Sequence, residues 1–583
     1  MKALLILTLL VAQGALAQGM QVQQGPRGGQ GPRGAMGPAE TVDPAEACTI
    51  EGMVLKSADG LPLKKARVTL RRAEGRSAPV TGNTDADGKF LLRDVPPGRY
   101  RLFVERNGYA RQEYGQRSAN RPGSVITLQA RQQMKDVLFR MIPSAAIEGR
   151  VFDEDGEPVA MVNVQALRHS YVRGQRQLTP AGTASSNDRG EFRIFGLPPG
   201  RYYLSATPSG GMTFMGGAGG GAAMVMIAGD GAGGLAPPQE ESYAATYYPG
   251  TIDPARASAL EVKSGDEAMG MDLTLILQKT YRVRGRVANS IDSRSRGETN
   301  VFLLPREVGA RMFGGLMRNR ATVNQNGEFE IRGVAPGSYY VNAVLFTDGQ
   351  AYSARQAVEV GQTDVDDVGL MIAPGAEISG RVRVEGNVDL STTNVSVMLA
   401  SPDEVFSFGS GGLATVGSDG TFTLKNVAAG TYVVRLANAP PDAYLKEGRF
   451  GSDDVADGRL TVQAGRASST LELTVSSNGG KVEGLVITEE NLPYSGGQVV
   501  LVPESATLRE RTELYKNGVT DQFGKFTLRG VRPGEYKLFA WDDVEPGSWH
   551  DPDFLRAYEQ KGVKVKVTES GLETKELRVI AAQ

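Results

Sequence analysis

One three-part signature is written five times along this 583-residue chain, and that repetition constrains the fold more than any other feature. Each copy opens on [IV]-x-G-x-V, at 50–54, 147–151, 283–287, 378–382 and 482–486. A G-x-F-x-[IL] follows, built on Phe90, Phe192, Phe329, Phe422 and Phe526. Last comes G-x-Y, ending in Tyr100, Tyr202, Tyr339, Tyr432 and Tyr536, always ten residues after the Phe. The first two glycines of successive copies lie 36, 41, 42, 40 and 40 residues apart. A chain that repeats itself so closely is a string of similar modules.

Around each Phe and each Tyr, apolar and polar residues alternate with period two, the pattern of a half-buried strand. Between them stand turn residues such as Val95-Pro96-Pro97-Gly98 and Val531-Arg532-Pro533-Gly534. Pro presets φ and Gly accepts a positive one, so the spacing predicts a β-hairpin from the Phe strand to the Tyr strand. Turn chemistry of the Asp85-Ala86-Asp87-Gly88 type precedes each Phe. Further apolar runs at 66–70, 162–167 and 499–502, with closing strands at 471–475 and 577–580, bring each unit to about seven short strands. The expected fold class is all-β, with five tandem antiparallel β-sandwich modules at 48–143, 144–279, 280–374, 375–477 and 478–583.

The opening I-x-G-x-V, the D-G-x-F and the P-G-x-Y together resemble the carboxypeptidase regulatory-like domain. That resemblance extends over about 48–582 and implies a transthyretin-like (prealbumin-like) sandwich, grouped with carbohydrate-binding-like folds. The matching residues are structural, so they speak to fold more than to function. The resemblance implies an accessory role, since such modules sit beside peptidases, precede outer-membrane receptors or stand in tandem on secreted bacterial proteins.

Residues 1–17 read as a secretory signal peptide: Lys2, a short apolar run, then Ala15-Leu16-Ala17. A Gly/Pro linker at 18–47 contains five collagen-like triplets, too few for a triple helix, and reads as flexible spacer. The mature chain is therefore expected outside the cytoplasm, secreted, periplasmic or on the cell surface, with no membrane-spanning segment. Its 64 Lys and Arg against 66 Asp and Glu form no basic block, which argues against nucleic acid as a partner. A single cysteine, Cys48, and two histidines, His169 and His550, offer neither a disulfide nor a usual zinc set. No cofactor is expected and no catalytic motif of a hydrolase, zinc protease or P-loop enzyme is present, so the chain reads as non-enzymatic.

Several weaker signals read as ordinary structure. Asp85 and Asp87 lack the further oxygens a calcium loop requires and suffice as turn formers. Lys56 and Glu105 superficially fit an intramolecular isopeptide set, but the closing strand of that repeat offers no Asn. A Gly/Met-rich insertion at 208–238, with Met212, Met215, Met224 and Met226, reads as a loose loop rather than a Cu(I) site.

The best interaction candidate is the segment after each Tyr strand. In the last repeat, residues 541–558 hold both tryptophans, Trp541 and Trp549, with Asp542, Asp543 and Tyr558. Sugar faces stack on indoles and carboxylates take hydroxyl hydrogen bonds, so a carbohydrate site is chemically reasonable there. The second repeat places Tyr243, Tyr247 and Tyr248 at the analogous position, and the first Tyr109 and Tyr114. The competing reading is that these aromatics plug the end of a sandwich, since large aromatics are usually buried. Function is thus expected to be non-catalytic binding, with a polysaccharide or envelope glycan as ligand. A protein-interaction spacer with an envelope protein partner, or an accessory subunit of an envelope peptidase or transporter, stands as the alternative.

Overall fold

The computed structural model describes residues 43–582 apart from 75–76, 119–120, 173, 209–240, 292–297, 307–319, 348–349, 388–389, 391–392, 402–411 and 464–468. The signal peptide, most of the linker and nearly all of the Gly/Met-rich insertion lie outside the described residues. Among those described, no helix is long and apolar enough to cross a membrane.

The first module sets the pattern. Its strands are β1 (Cys48–Lys56), β2 (Arg67–Arg72), β3 (Val80–Asn83), β4 (Lys89–Val95), β5 (Gly98–Glu105), β6 (Gln112–Glu113), β7 (Ile126–Leu128) and β8 (Gln133–Met141). One sheet has the order β4-β1-β8; the other runs β3-β2-β5-β6, with β7 also on β5. Inward residues of both sheets, among them Ile50, Val54, Val68, Leu92, Leu102 and Phe139, meet in one buried cluster. Four further clusters repeat this in the later modules, each confined to its own stretch of chain. The pairing is antiparallel throughout the first module except at β1 and β8, which run parallel. The same parallel pair closes modules two to five.

The motif residues explain themselves in this geometry. Gly52 stands opposite Phe90, and the pairs Gly149–Phe192, Gly285–Phe329, Gly380–Phe422 and Gly484–Phe526 occupy the same register. A Cβ on Gly52 would lie 2.1 Å from the Val137 carbonyl oxygen and 2.8 Å from the Phe90 ring. On Gly484 it would lie 1.7 Å from the Lys575 carbonyl oxygen. The opening strand must carry glycine because the closing segment's backbone carbonyl occupies the space of a side chain, joined by the Phe ring at Gly52 and Gly380.

One expectation is overturned: the Phe and Tyr strands do not form a hairpin. In the first module β4 pairs with β1 while β5 pairs with β2, so the Pro-Pro-Gly connection crosses from one sheet to the other. Pro96 and Pro97 have no N–H to donate, so the ladder cannot run on through them. The Tyr100 hydroxyl then donates back to the Pro96 carbonyl at 2.7 Å and ties the corner. Tyr202, Tyr339, Tyr432 and Tyr536 do the same to the residue four places earlier, at 2.6, 3.0, 2.8 and 2.8 Å. This is the tyrosine corner familiar from other sandwiches, here repeated five times.

Asp85 behaves as turn chemistry predicts: its Oδ1 accepts the Asp87 and Lys89 amides at 3.0 and 2.8 Å. Lys56 lies 3.9 Å from Asp59 and Glu105 lies 3.8 Å from Arg111, so the two isopeptide candidates have different partners.

Two substitutions test these assignments in the full chain. Tyr536→Phe keeps the ring and orphans the Arg532 carbonyl, and is expected to cost about 1 kcal/mol. Gly484→Ala forces the opening and closing strands apart and is expected to cost about 3 kcal/mol or more. Hydrogen exchange in residues 480–578 should accelerate more for Gly484→Ala than for Tyr536→Phe; equal rates would contradict the backbone-contact account.

Candidate functional site

The 541–562 segment of module five departs most from the common plan. Strand Gln498–Pro503 reads Gln-Val-Val-Leu-Val-Pro and is buried at every position, so its sheet is covered on both faces. One face meets the sandwich core. The other meets a second core made by Val500, Val502, Tyr515, Phe539, Trp541, Val544, Trp549, Leu555, Tyr558 and Ile580. A 3-10 turn at Ser548–His550 and the helix Pro552–Tyr558 lay these aromatics against the sheet. Asp551 starts the helix by accepting the Asp553 amide at 2.9 Å, and Pro552 follows at the first helical position.

The rings of both tryptophans are therefore packed into this core. Trp541 is fully buried, stacked on Phe539 with ring centroids 5.1 Å apart and flanked by Phe554 and Tyr558 at 5.8 and 5.7 Å. Trp549 is 4% exposed and Tyr558 is buried. The expectation of an open stacking platform on these three rings does not fit this packing, because the sheet needs its outer face covered. In module two Tyr247 is likewise buried, on a short strand paired with Ser205 and Ala206, and Tyr248 packs at the edge of the core.

The two carboxylates beside Trp541 do different work. Asp542 accepts the Asp543 and Ala582 amides at 2.6 and 2.9 Å, which pins the last strand's exit. Asp543 points away from its own module. It accepts the Ser118 hydroxyl at 2.6 Å and pairs with the Arg121 guanidinium, both from module one. Burial pushes its carboxyl up, but the hydrogen bonds from Ser118 and Arg121 outweigh that and hold it below the usual range.

Asp543 belongs to a wider seam. Thr127 donates its hydroxyl to Asp521 at 2.9 Å and its amide to Gln522 at 2.9 Å, and Gln522 returns a bond to the Thr127 carbonyl at 2.8 Å. Asp521 is the turn carboxylate of module five, so one side chain closes its own turn and holds module one. The Arg117 guanidinium lies 4.1 Å from the centre of the Tyr494 ring and donates to the Ser495 carbonyl at 3.3 Å. Module two joins through the hairpin of Val162–Val172 and Gln175–Ser185. A Cβ on Gly174 at its tip would sit 2.6 Å from the His550 carbonyl, and φ is +77° there. His550 packs against Tyr515 at 4.4 Å, and burial lowers its pKa.

Where modules one, two and five meet, a cleft of about 640 Å³ remains. Gln112, Arg117 and Arg121 line it from module one, Pro198 and Pro199 from the corner of module two, and Asn517 and Trp549 from module five. Of the residues singled out in the sequence, the structure brings Trp549 to this cleft and Asp543 to its rim contacts, and leaves Tyr247 and Tyr248 in module two's own core. The arginines of module one were missed. The available signal was charge: Arg106, Arg111, Arg117 and Arg121 follow its Tyr strand, while Asp542, Asp543, Glu545, Asp551 and Asp553 follow that of module five. Among the described residues no group of three or more His, Cys, Asp or Glu could hold a metal ion.

Residues 49–141 and 146–217 match the carboxypeptidase regulatory-like domain. Comparison with curated proteins gives no match. Among solved structures, an ancillary pilin of Streptococcus is similar at 11% identity and a TM-score of 0.17, over 52% of this chain and 99% of the pilin. A minor pilin of Streptococcus agalactiae is similar at 13% identity and a TM-score of 0.20, over 40% and 97%. A putative carbohydrate-binding protein of Pseudomonas aeruginosa is similar at 15% identity and a TM-score of 0.12, over 16% and 87%.

Two outcomes follow from the seam and the second core. Trp541→Ala should destabilise module five by about 3–5 kcal/mol, read as a lowered denaturation midpoint. Asp543 has a depressed pKa, so its contribution is complete above the ordinary carboxylate value of 3.8 and is lost as pH falls below it. Cross-linking between modules one and five should therefore weaken below that pH in the native chain. In Asp543→Asn the crosslink yield should already be reduced at pH 7, with a smaller further loss in acid.

Proposed function

Starting from carboxypeptidase regulatory-like domains in its first two modules, we propose that this chain is an exported, non-catalytic binding scaffold whose ligand is an envelope polysaccharide. The observation that carries the reading is the return of module five onto modules one and two. Tandem sandwiches joined only end to end would present separate surfaces. Here the Asp543, Asp521 and Arg117 contacts hold module five to module one, the Gly174 tip of module two lies against His550, and a recessed cleft remains among the three. A recess with polar groups convergent on an apolar wall is the usual form of a small-ligand or sugar site. The carbohydrate-binding-like grouping of the fold supports the ligand class by analogy.

A second reading, a scaffold for an envelope protein partner, is favoured by Phe195 and Phe346, which are 74% and 61% exposed on sheet faces. An accessory role beside an envelope peptidase or transporter is one form of it.

The mature chain, incubated with isolated envelope polysaccharide and with solubilised envelope protein, separates the readings. Retention on polysaccharide, lost on unfolding, is the expected result. Retention only through protein, abolished by Phe195→Ser or Phe346→Ser, would replace the first reading with the second.

A further inference from the structure

The cleft between modules one, two and five contains more unspent hydrogen-bonding capacity than a packing gap would. Trp549 is 4% exposed, yet its indole N–H has no acceptor among the described residues. Gln112 Oε1 is likewise buried and has no donor among them. Both residues line the cleft. A buried donor and a buried acceptor without partners beside one cleft each cost free energy, which a ligand that reaches them with the opposite groups restores.

The charge of the wall is the second observation. Its charged lining residues are Arg101, Arg111, Arg117 and Arg121 against the single carboxylate of Glu113. Arg121 is taken by Asp543, and Arg101 by Glu113 at 3.2 Å. Arg111 reaches Glu105 and Glu113 only at 3.8 and 3.7 Å. Arg117 forms no ion pair with a carboxylate among the described residues; its plane is held over Tyr494 and one N–H goes to Ser495. A guanidinium fixed by stacking and short of an anion is preorganised to receive one.

We infer that the cleft between modules one, two and five binds a carboxylated saccharide, with Arg117 and Arg111 taking the carboxylate, the Trp549 indole N–H donating to a ring or hydroxyl oxygen, and Gln112 Oε1 accepting from a hydroxyl. A uronic acid presents a carboxylate, hydroxyl donors and ether acceptors within one sugar ring, which matches this set. A neutral sugar leaves the arginines unpaired, and an acidic peptide presents its carboxylates without neighbouring hydroxyls. The inference rests on the polysaccharide reading above and names the ligand class and the site for it.

The test is calorimetric titration of the full mature chain with hexauronate, with a neutral hexasaccharide and with hexaglutamate. Hexauronate should bind, weakening as salt rises, and the other two should bind at least about tenfold more weakly. Arg117→Gln should weaken hexauronate about tenfold, and Arg117→Lys by less, because it keeps the charge. Trp549→Phe keeps an aromatic ring in the second core but loses the N–H together with part of the indole's volume; it should cost about fivefold in affinity and lower the denaturation midpoint. A cooperative thermal unfolding transition in each variant identifies it as folded. Hexauronate binding that Arg117→Gln and Trp549→Phe both retain in full would overturn the cleft and leave the polysaccharide reading standing. Hexaglutamate binding as tightly as hexauronate would overturn the saccharide class. Absence of binding to hexauronate would overturn the inference, and absence of binding to envelope polysaccharide as well would take the broader reading with it.

Discussion

Each module depends on a strand that can be approached from both edges and one face at once. The opening strand pairs antiparallel with the Phe strand and parallel with the closing strand, and its central glycine is where all three come closest. Any Cβ there would displace either a backbone carbonyl or an aromatic ring. With glycine in place the Phe ring lies across the gap, restoring the buried apolar area that glycine lacks, much as aromatics rescue glycines elsewhere in sheets. The tyrosine corner then fixes where the chain leaves this sheet for the other. Together the two devices specify a sandwich with Gly, Phe and Tyr, which is why five copies with otherwise different sequences share one strand plan.

That plan frees the connections. The segment following the Tyr strand is not needed to close the sandwich in the same way in every module, and it differs accordingly. Module four sends it as a strand, Tyr444–Phe450, onto the edge of its first sheet. Module three pairs a long strand, Gln350–Val360, directly back along the Tyr strand. Module five folds it into a helix-bearing cover for its own outer sheet face, and module one leaves it as a basic, turn-rich stretch. The last two are the ones that meet. The acidic cover of module five and the arginines of module one are complementary, so the seam is an electrostatic as well as a geometric fit.

Period-two alternation and the placement of turn residues suffice to locate the strands, because both are local. They do not say which strands pair. Pro96-Pro97-Gly98 reads equally as a hairpin turn or as a crossing between sheets, and only the Tyr100 hydroxyl reaching the Pro96 carbonyl distinguishes them. A Tyr at a fixed distance after Pro-Gly was visible as a repeat, but its partner is a backbone atom and leaves no trace in the composition. Trp541 illustrates the opposite difficulty. Its neighbourhood of carboxylates looks like a binding surface in one dimension. The continuous apolar run at 499–502, some forty residues earlier, is what demands a cover, and the indole answers that demand.

The candidate site was legible as a segment and illegible as a constellation. Residues 541–558 contribute Asp543, Gly547 and His550 to the contacts between modules, with Ser118, Arg121, Tyr171 and Gly174 of the same chain as their partners. Trp549 lines the cleft while its ring packs in the second core, so one residue belongs to both the packing reading and the binding reading. This follows from indole chemistry: an apolar body that must be buried and a single N–H that must be satisfied. In Trp541 and Trp549 alike that N–H lacks a protein acceptor among the described residues, and of the two it is Trp549 that lines the cleft where modules one, two and five come together.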